Sequence, residues 1–407
     1  MQGLDWLSLF VRWFHVIAGV AWIGASFYFI WLDNSLRTPP EWKQKKGIKG
    51  DLWAIHGGGF YEVAKYAYGP EKIPPTLHWF KWEAYSTWLS GFALLIIVYY
   101  FGASAYLIDP SVNTITPQTA VLSGLGIIFG GLAVYELACR SPLSKSPRLF
   151  AVFLVTLICF VSWLSAQLFS GRGAYIHVGA LVGTIMVANV FLNIMPNQRK
   201  MVAAVAAKNN IDPSWGASAK LRSVHNNYLT LPLLFIMISN HYPMTYQHPQ
   251  NWVVLIVIMA LSAWIRHYFN LKHQDVKKPA ILVSGAMGML LLAIWVSMPV
   301  NSDSTIAEQS NAQAHMAETR PLQNTTQQQV HQLINTHCTG CHATVPTDDI
   351  FKVAPLGVKF DSWEDIERYS GQIYRRTAVS KDMPFMNKTG MTDVEREQIA
   401  SWYLGRH

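Results

Sequence analysis

The sequence predicts an all-α protein in two parts. A polytopic membrane bundle of eight spans occupies residues 1–300, and a small soluble helical domain occupies 330–407. Three observations lead there. Only 14% of the 407 residues are charged, against about 25% in an average soluble chain. Aromatic residues reach 13%, with 16 Trp, and the mean hydropathy is positive, +0.18. Charge also changes sign along the chain. Residues 1–300 hold 22 Lys+Arg against 11 Asp+Glu, and residues 301–407 hold 10 against 13. A disordered chain is excluded, and so is an ordinary soluble enzyme. The net +8 belongs wholly to the apolar part, the pattern of basic membrane loops, so no nucleic-acid partner is expected.

Eight segments are long and apolar enough to cross about 30 Å of hydrocarbon. They lie near 6–32, 79–101, 118–138, 149–169, 174–196, 225–241, 251–270 and 280–300. The sixth, His225 to His241, is short and opens on polar residues. Segment one does not read as a signal peptide, because Met1-Gln-Gly-Leu-Asp5 has no basic stretch. Loops 33–78, 139–148, 197–224 and 271–279 together carry 18 Lys/Arg. The N-terminal stub and loops 102–117, 170–173 and 242–250 carry one, Arg172. Positive-inside asymmetry puts the first set in the cytoplasm and both termini outside.

Residues 301–329 are rich in Ala, Gln, Ser and Asn and read as a flexible tether, reaching about 30 Å as a coil. Beyond it, the stretch around Gln327–Asn335 reads as a helix. Thr392-Asp-Val-Glu395 reads as a capping box opening another, which carries Ile399, Trp402 and Tyr403. Between them lies Cys338-Thr-Gly-Cys341-His342, the spacing of c-type haem attachment. Two thiols three residues apart reach the two vinyl groups of one haem, and the following imidazole falls beneath the iron. Lys381-Asp-Met383-Pro384 supplies a methionine for the other face, with Met386 as its rival. His/Met ligation raises the reduction potential. The domain therefore reads as a periplasmic cytochrome c of class I type with one covalent haem c. Cys139 and Cys159 lie in apolar segments, where free Cys behaves as a small hydrophobe.

A carrier of this size does not account for 300 residues of membrane domain. Polar residues inside spans are costly and point to function. Several fall at the cytoplasmic span ends: His78, Lys81, Glu83, Glu136, Asn189, Asn193, Arg266 and His267, with His56-Gly57-Gly58-Gly59 in the first cytoplasmic loop. The densest group is Arg222, His225, Asn226 and Asn227. Snorkelling and helix capping are the bland alternative for any single one. The glycine triplet resembles an esterase oxyanion loop but lacks a GxSxG elbow. Gly-Leu-Gly-Ile-Ile-Phe-Gly-Gly at 124–131 suits helix packing better than dinucleotide binding. His15 in the first span and His177 in the fifth sit at similar depth in the outer half. They are candidate ligands of a membrane haem b, against the blander role of polar contacts between helices.

The strings Arg222-Ser-Val-His225-Asn226-Asn227-Tyr-Leu-Thr-Leu-Pro232, His56-Gly-Gly-Gly-Phe-Tyr61 and Leu77-His-Trp-Phe-Lys-Trp-Glu-Ala-Tyr85 resemble the bacterial membrane-bound urate oxidases with a C-terminal cytochrome c. That resemblance implies conversion of urate to 5-hydroxyisourate, with electrons passing to the chain's own haem c. From there they would go to a downstream acceptor such as a soluble cytochrome c or terminal oxidase, rather than straight to oxygen. Residues 6–32 also resemble the first span of protoporphyrinogen-oxidising membrane proteins, in which a first-span His ligates haem. On this reading Arg222, Asn226, Asn227, His56 and His78 are candidates to bind urate, and His225 or Glu83 to act as base. The rival readings are a non-catalytic electron conduit and a quinol- or porphyrin-oxidising haem protein.

Overall fold

A computed structural model describes residues 2–109, 112–298, 326–349 and 351–405, apart from 352–353, 356–357, 380 and 382. Most of the expected tether, at 301–325, lies outside the described residues.

Helix α1 spans Gln2–Ser35. The loop that follows, expected to be cytoplasmic, departs from the all-α expectation. After the short α2, Glu41–Gln44, strands β1 (Ile48–His56) and β2 (Gly59–Tyr66) form an antiparallel hairpin. His56 pairs with Gly59 across Gly57 and Gly58, whose φ values are +57° and +82°. That is the left-handed conformation a two-residue hairpin turn requires. The glycine triplet is therefore a turn and not an oxyanion loop. The buried Lys43 ammonium bonds both Asp51 and Glu62 and ties α2 to the strands.

Helix α3, Trp82–Leu94, continues as a π-helical turn Leu95–Tyr100, and α4 is Ala103–Tyr106. Helix α5, Pro117–Arg140, starts with Pro117 in its first turn and Thr116 accepting from the Thr119 amide at 3.2 Å, a standard start signal. Helix α6 is Pro147–Leu168. Helix α7, Gly171–Ala188, runs through a π-helical Asn189–Ile194 into α8, Met195–Ala206. Helix α9 is Pro213–Ser239, α10 Pro243–Tyr246, α11 Asn251–His273 and α12 Pro279–Ser297.

Among the described residues, six helices are long and apolar enough to cross a membrane. The expected second and sixth spans are helical but fall outside that set. The second opens with Trp82, Glu83, Tyr85, Ser86 and Thr87, which lower its hydropathy. The sixth begins at Pro213 rather than His225, with Asp212 accepting from the Ser214 amide at 2.8 Å. It carries Arg222, His225, Asn226 and Asn227, which lower its hydropathy. What looked like the end of a cytoplasmic loop is the first turns of a helix.

Helix α7 is the axis of the bundle. Two thirds of its window is buried, 67%, against 11% for α1 and 17% for α12. It packs on α3, α5, α6 and α9. Small residues let α5 approach: a Cβ on Gly124 would lie 2.4 Å from His177 Nε2, and one on Gly131 would lie 2.8 Å from Leu181. Gly124 and Gly131 are thus a packing device, as expected, while Gly126 and Gly130 have nothing within 4 Å.

In the C-terminal part, helix Gln327–His337 is capped by Thr326 with Gln329. Helix Asp393–Leu404 is capped by Thr392 with Glu395, the predicted box. Val330, Ile334, Cys338, Phe360, Ile366, Ile373, Met391, Ile399 and Trp402 form one core. Phe385 reaches the membrane part, its ring 5.2 Å from that of Tyr106. The Arg172 guanidinium covers Tyr106 at 5.5 Å.

Gly124→Ala is expected to destabilise the bundle by about 1–3 kcal/mol, because His177 is fully buried and has nowhere to move. Thermal unfolding in detergent measures it, and an unchanged midpoint would contradict the tight α5–α7 approach.

Candidate functional site

Six polar side chains meet where α5, the π-helical turn after α7, and α9 cross. Arg222 makes a fork to Glu136, at 2.7 Å and 3.1 Å, and its Nη1 also donates to Asn189 Oδ1 at 2.8 Å. Asn189 Nδ2 donates to Asn226 Oδ1 at 2.8 Å and to the Tyr135 hydroxyl at 3.0 Å. Asn226 Nδ2 donates to the Met186 carbonyl at 2.9 Å. Tyr135 holds His225 Nδ1 at 2.8 Å. Phe150 stacks on the His225 ring at 4.7 Å and 7°. Whichever way the Tyr135 proton points, Nδ1 is taken and only Nε2 is open to a substrate. The local fold explains the convergence. A π-helical turn adds a residue to the helical repeat and re-aims Asn189, and Arg222 and Asn226 share one face of α9 four residues apart. An open cavity of about 550 Å³ adjoins the network, lined by Glu136, Arg140, Asn193, Asn197, Lys200 and Arg222 among others.

Asn227 faces elsewhere. One residue further along α9 is 100° around the helix, and its side chain meets α11. It accepts from Arg266 Nε at 2.5 Å and donates to Asn270 Oδ1 at 2.9 Å. Phe27 of α1 covers the Arg266 guanidinium at 4.0 Å. Next to it, the Tyr228 hydroxyl and His267 Nδ1 lie 2.7 Å apart. The sequence thus gave Arg222, His225, Asn226 and Asn227 as one cluster, and the fold divides them between two faces.

The other candidates do not join either group. His56 sits exposed beside the hairpin turn. His78 is exposed, 3.9 Å from Glu83. Glu83 opens α3 and has one buried carboxylate oxygen, Oε2, without a hydrogen-bond partner. His15 Nδ1 lies 3.0 Å from both the Thr87 carbonyl and Ser90 Oγ. His177 Nδ1 contacts the Gly173 carbonyl at 2.8 Å, and its Nε2 meets the Tyr100 hydroxyl at 3.3 Å. The α5 backbone at Gly124 lies against that same Nε2. A porphyrin does not fit beside His177 as packed, so no electron step is routed through it. As packed, His15 contacts α3, and His177 contacts Gly173 of its own helix and Tyr100.

At Cys338-Thr-Gly-Cys341-His342 the donor set fits a covalent haem. Both thiols are free, and Cys338 is part of the domain core. His342 Nδ1 is held by the Val358 carbonyl at 2.9 Å, which fixes the tautomer and leaves Nε2 for a metal. Burial pushes the Cys338 thiol up to about 12 and the Cys341 thiol up to about 11, opposite to the lowering found in redox CxxC pairs. The Met383 backbone is pinned by its amide to the Arg376 carbonyl at 3.0 Å and by its carbonyl to Arg396 Nη1 at 2.7 Å. The Met386 side chain lies outside the described residues.

Sequence reasoning did not single out Tyr135, Asn270 or Phe27. An aromatic hydroxyl in a span was a signal for Tyr135. Nothing local marked the other two.

These features define a polar-cored helical bundle, with six helices long and apolar enough to cross a membrane, joined to a smaller helical region that carries CxxCH. A family model described as Urate oxidase N-terminal matches residues 2–297, and the chain belongs to that family. Urate-related oxidase function, and an oxidoreductase class, follow from it. No curated protein and no solved structure matches the chain.

Arg222→Ala leaves the Glu136 carboxylate with only the longer contact to Arg140, at 3.8 Å, and is expected to cost about 1–3 kcal/mol. Adding Glu136→Gln is expected to recover most of that loss. Equal unfolding midpoints for the single and double variants would show that the pair does not hold the bundle.

Proposed function

We propose that the chain is a membrane-bound urate oxidase of eight spans that feeds its own cytochrome c domain. The observation that carries this reading is the joining, in one chain, of the urate oxidase family region at 2–297 to a CxxCH whose histidine is held by Val358. Both termini would be periplasmic, and the basic loops cytoplasmic, in a bacterial inner membrane.

The reaction balances as urate plus water giving 5-hydroxyisourate, two protons and two electrons. Urate enters the polar zone along α9 as an anion. Cationic and amide side chains there would bind it in the plane of its ring. Glu83, or His225 through Nε2, would accept a proton from urate or from the attacking water. Apolar packing around α7 excludes bulk water from the inner end of the zone. Cys338, Cys341, His342 and Met383 would hold haem c, which supplies a one-electron acceptor on the periplasmic side. A downstream soluble cytochrome c or terminal oxidase would take the first electron onward, so that the same haem c can accept the second.

Anaerobic urate added to the oxidised full-length protein is expected to bring up the reduced haem c bands. Cys338→Ser with Cys341→Ser is expected to lose covalent haem. A normal haem c spectrum that urate leaves oxidised would overturn urate oxidation and favour an electron conduit fed by another donor.

A further inference from the structure

Among the described residues, the buried cations have their terminal donors taken up, by carboxylates or by neutral acceptors, with one exception. Lys43 lies between Asp51 and Glu62. Arg222 is forked on Glu136. Arg396 donates to the Thr377 and Met383 carbonyls and to Asn387. Arg266 is 5% exposed and makes no ion pair among the described residues. Its Nε is anchored on Asn227 and its face is covered by Phe27. Its Nη2 is buried with no hydrogen-bond partner. Among the described residues only three other buried side-chain polar atoms share that condition: Glu83 Oε2, Ser162 Oγ and Ser165 Oγ. Arg266 is the one cation in the set.

A guanidinium buried in an apolar bundle without a counter-charge is costly. It persists where something outside the protein's own side chains provides the charge. The geometry here is that of a receptor. The Nε bond fixes the plane of the guanidinium, and Nη2 in that plane is left as an unused charged donor of the kind an anion takes. Asn227 spends its amide on Asn270 Oδ1, which leaves the Asn270 amide as a further donor. Arg222 has no such freedom, since Glu136 and Asn189 take its terminal nitrogens.

We infer that Arg266, with Asn227, Asn270 and Phe27 between α1, α9 and α11, binds the anionic edge of the substrate, and that Arg222 does not. This rests on the urate oxidase reading and names the residue that recognises the substrate's charge.

The test uses full-length protein in detergent. After reduction with dithionite, where turnover stops, urate is expected to raise the unfolding midpoint of the unaltered protein. Arg266→Met is expected to abolish that rise. Its midpoint without urate should equal or exceed that of the unaltered protein, because an apolar side chain replaces an uncompensated charge. Arg266→Lys keeps the charge but loses the planar donor, so its KM for urate should rise roughly 10- to 100-fold. An unchanged KM in Arg266→Lys overturns the inference even if Arg266→Met does not accumulate. A fall in the ligand-free midpoint of Arg266→Met with its urate response intact also overturns it, and shows a structural role. So does stabilisation by phosphatidylglycerol that is lost in Arg266→Met with KM unchanged, which marks a lipid site. If the unaltered protein neither binds urate nor shows urate-dependent haem c reduction, the functional reading itself fails. If only the Arg266 variants behave as the unaltered protein does, that reading stands and the inference alone falls.

Discussion

The fork between Arg222 and Glu136 is the interaction on which the inner half of the bundle depends. Charged groups among apolar helices are tolerated when each finds its complement inside the bundle. Here one arginine on α9 draws in a carboxylate from α5 and an amide from the π-helical turn after α7. Asn189 passes the constraint on to Asn226 and Tyr135, and Tyr135 passes it to His225. Three helices are thereby fixed in register by hydrogen bonds that apolar packing alone would not specify. The π-helical turn at Asn189 is what makes the meeting possible.

Because that network is self-satisfied, its chemistry is largely spent on holding the helices. The open valences lie on the adjacent face of α9, one residue away, where Asn227 and Arg266 meet α1. A 100° turn per residue is enough to separate a structural cluster from a receptive one. At the opposite end of the bundle the contacts are aromatic: Arg172 over Tyr106, and Tyr106 against Phe385. Phe385 follows Met383 by two residues, so the segment expected to ligate haem is also the one that touches the membrane part.

Much of this was legible in the sequence. Apolar length found most of the helices, and Thr392 with Glu395 announced a helix start that forms as read. The hairpin was legible too, in alternating residues either side of Gly57-Gly58, but it was passed over because its segment read as a loop. The start of α9 was not found, since hydropathy ends where polar residues begin and a helix stabilised by partners on other helices does not. The pairing of His15 with His177 followed from depth alone, and depth does not say which way a ring points.

Sequence by itself determined the composition of the bundle, the CxxCH with its following histidine, and the polar residues concentrated on one helix. These are local properties, set by spacing and hydropathy. Only the tertiary structure decided that Arg222 is already neutralised while Arg266 is not. Whether a buried charge is answered depends on carboxylates brought from distant positions in the chain. Glu136 reaches Arg222 across the α5–α9 crossing, and no described carboxylate comes within ion-pairing distance of Arg266.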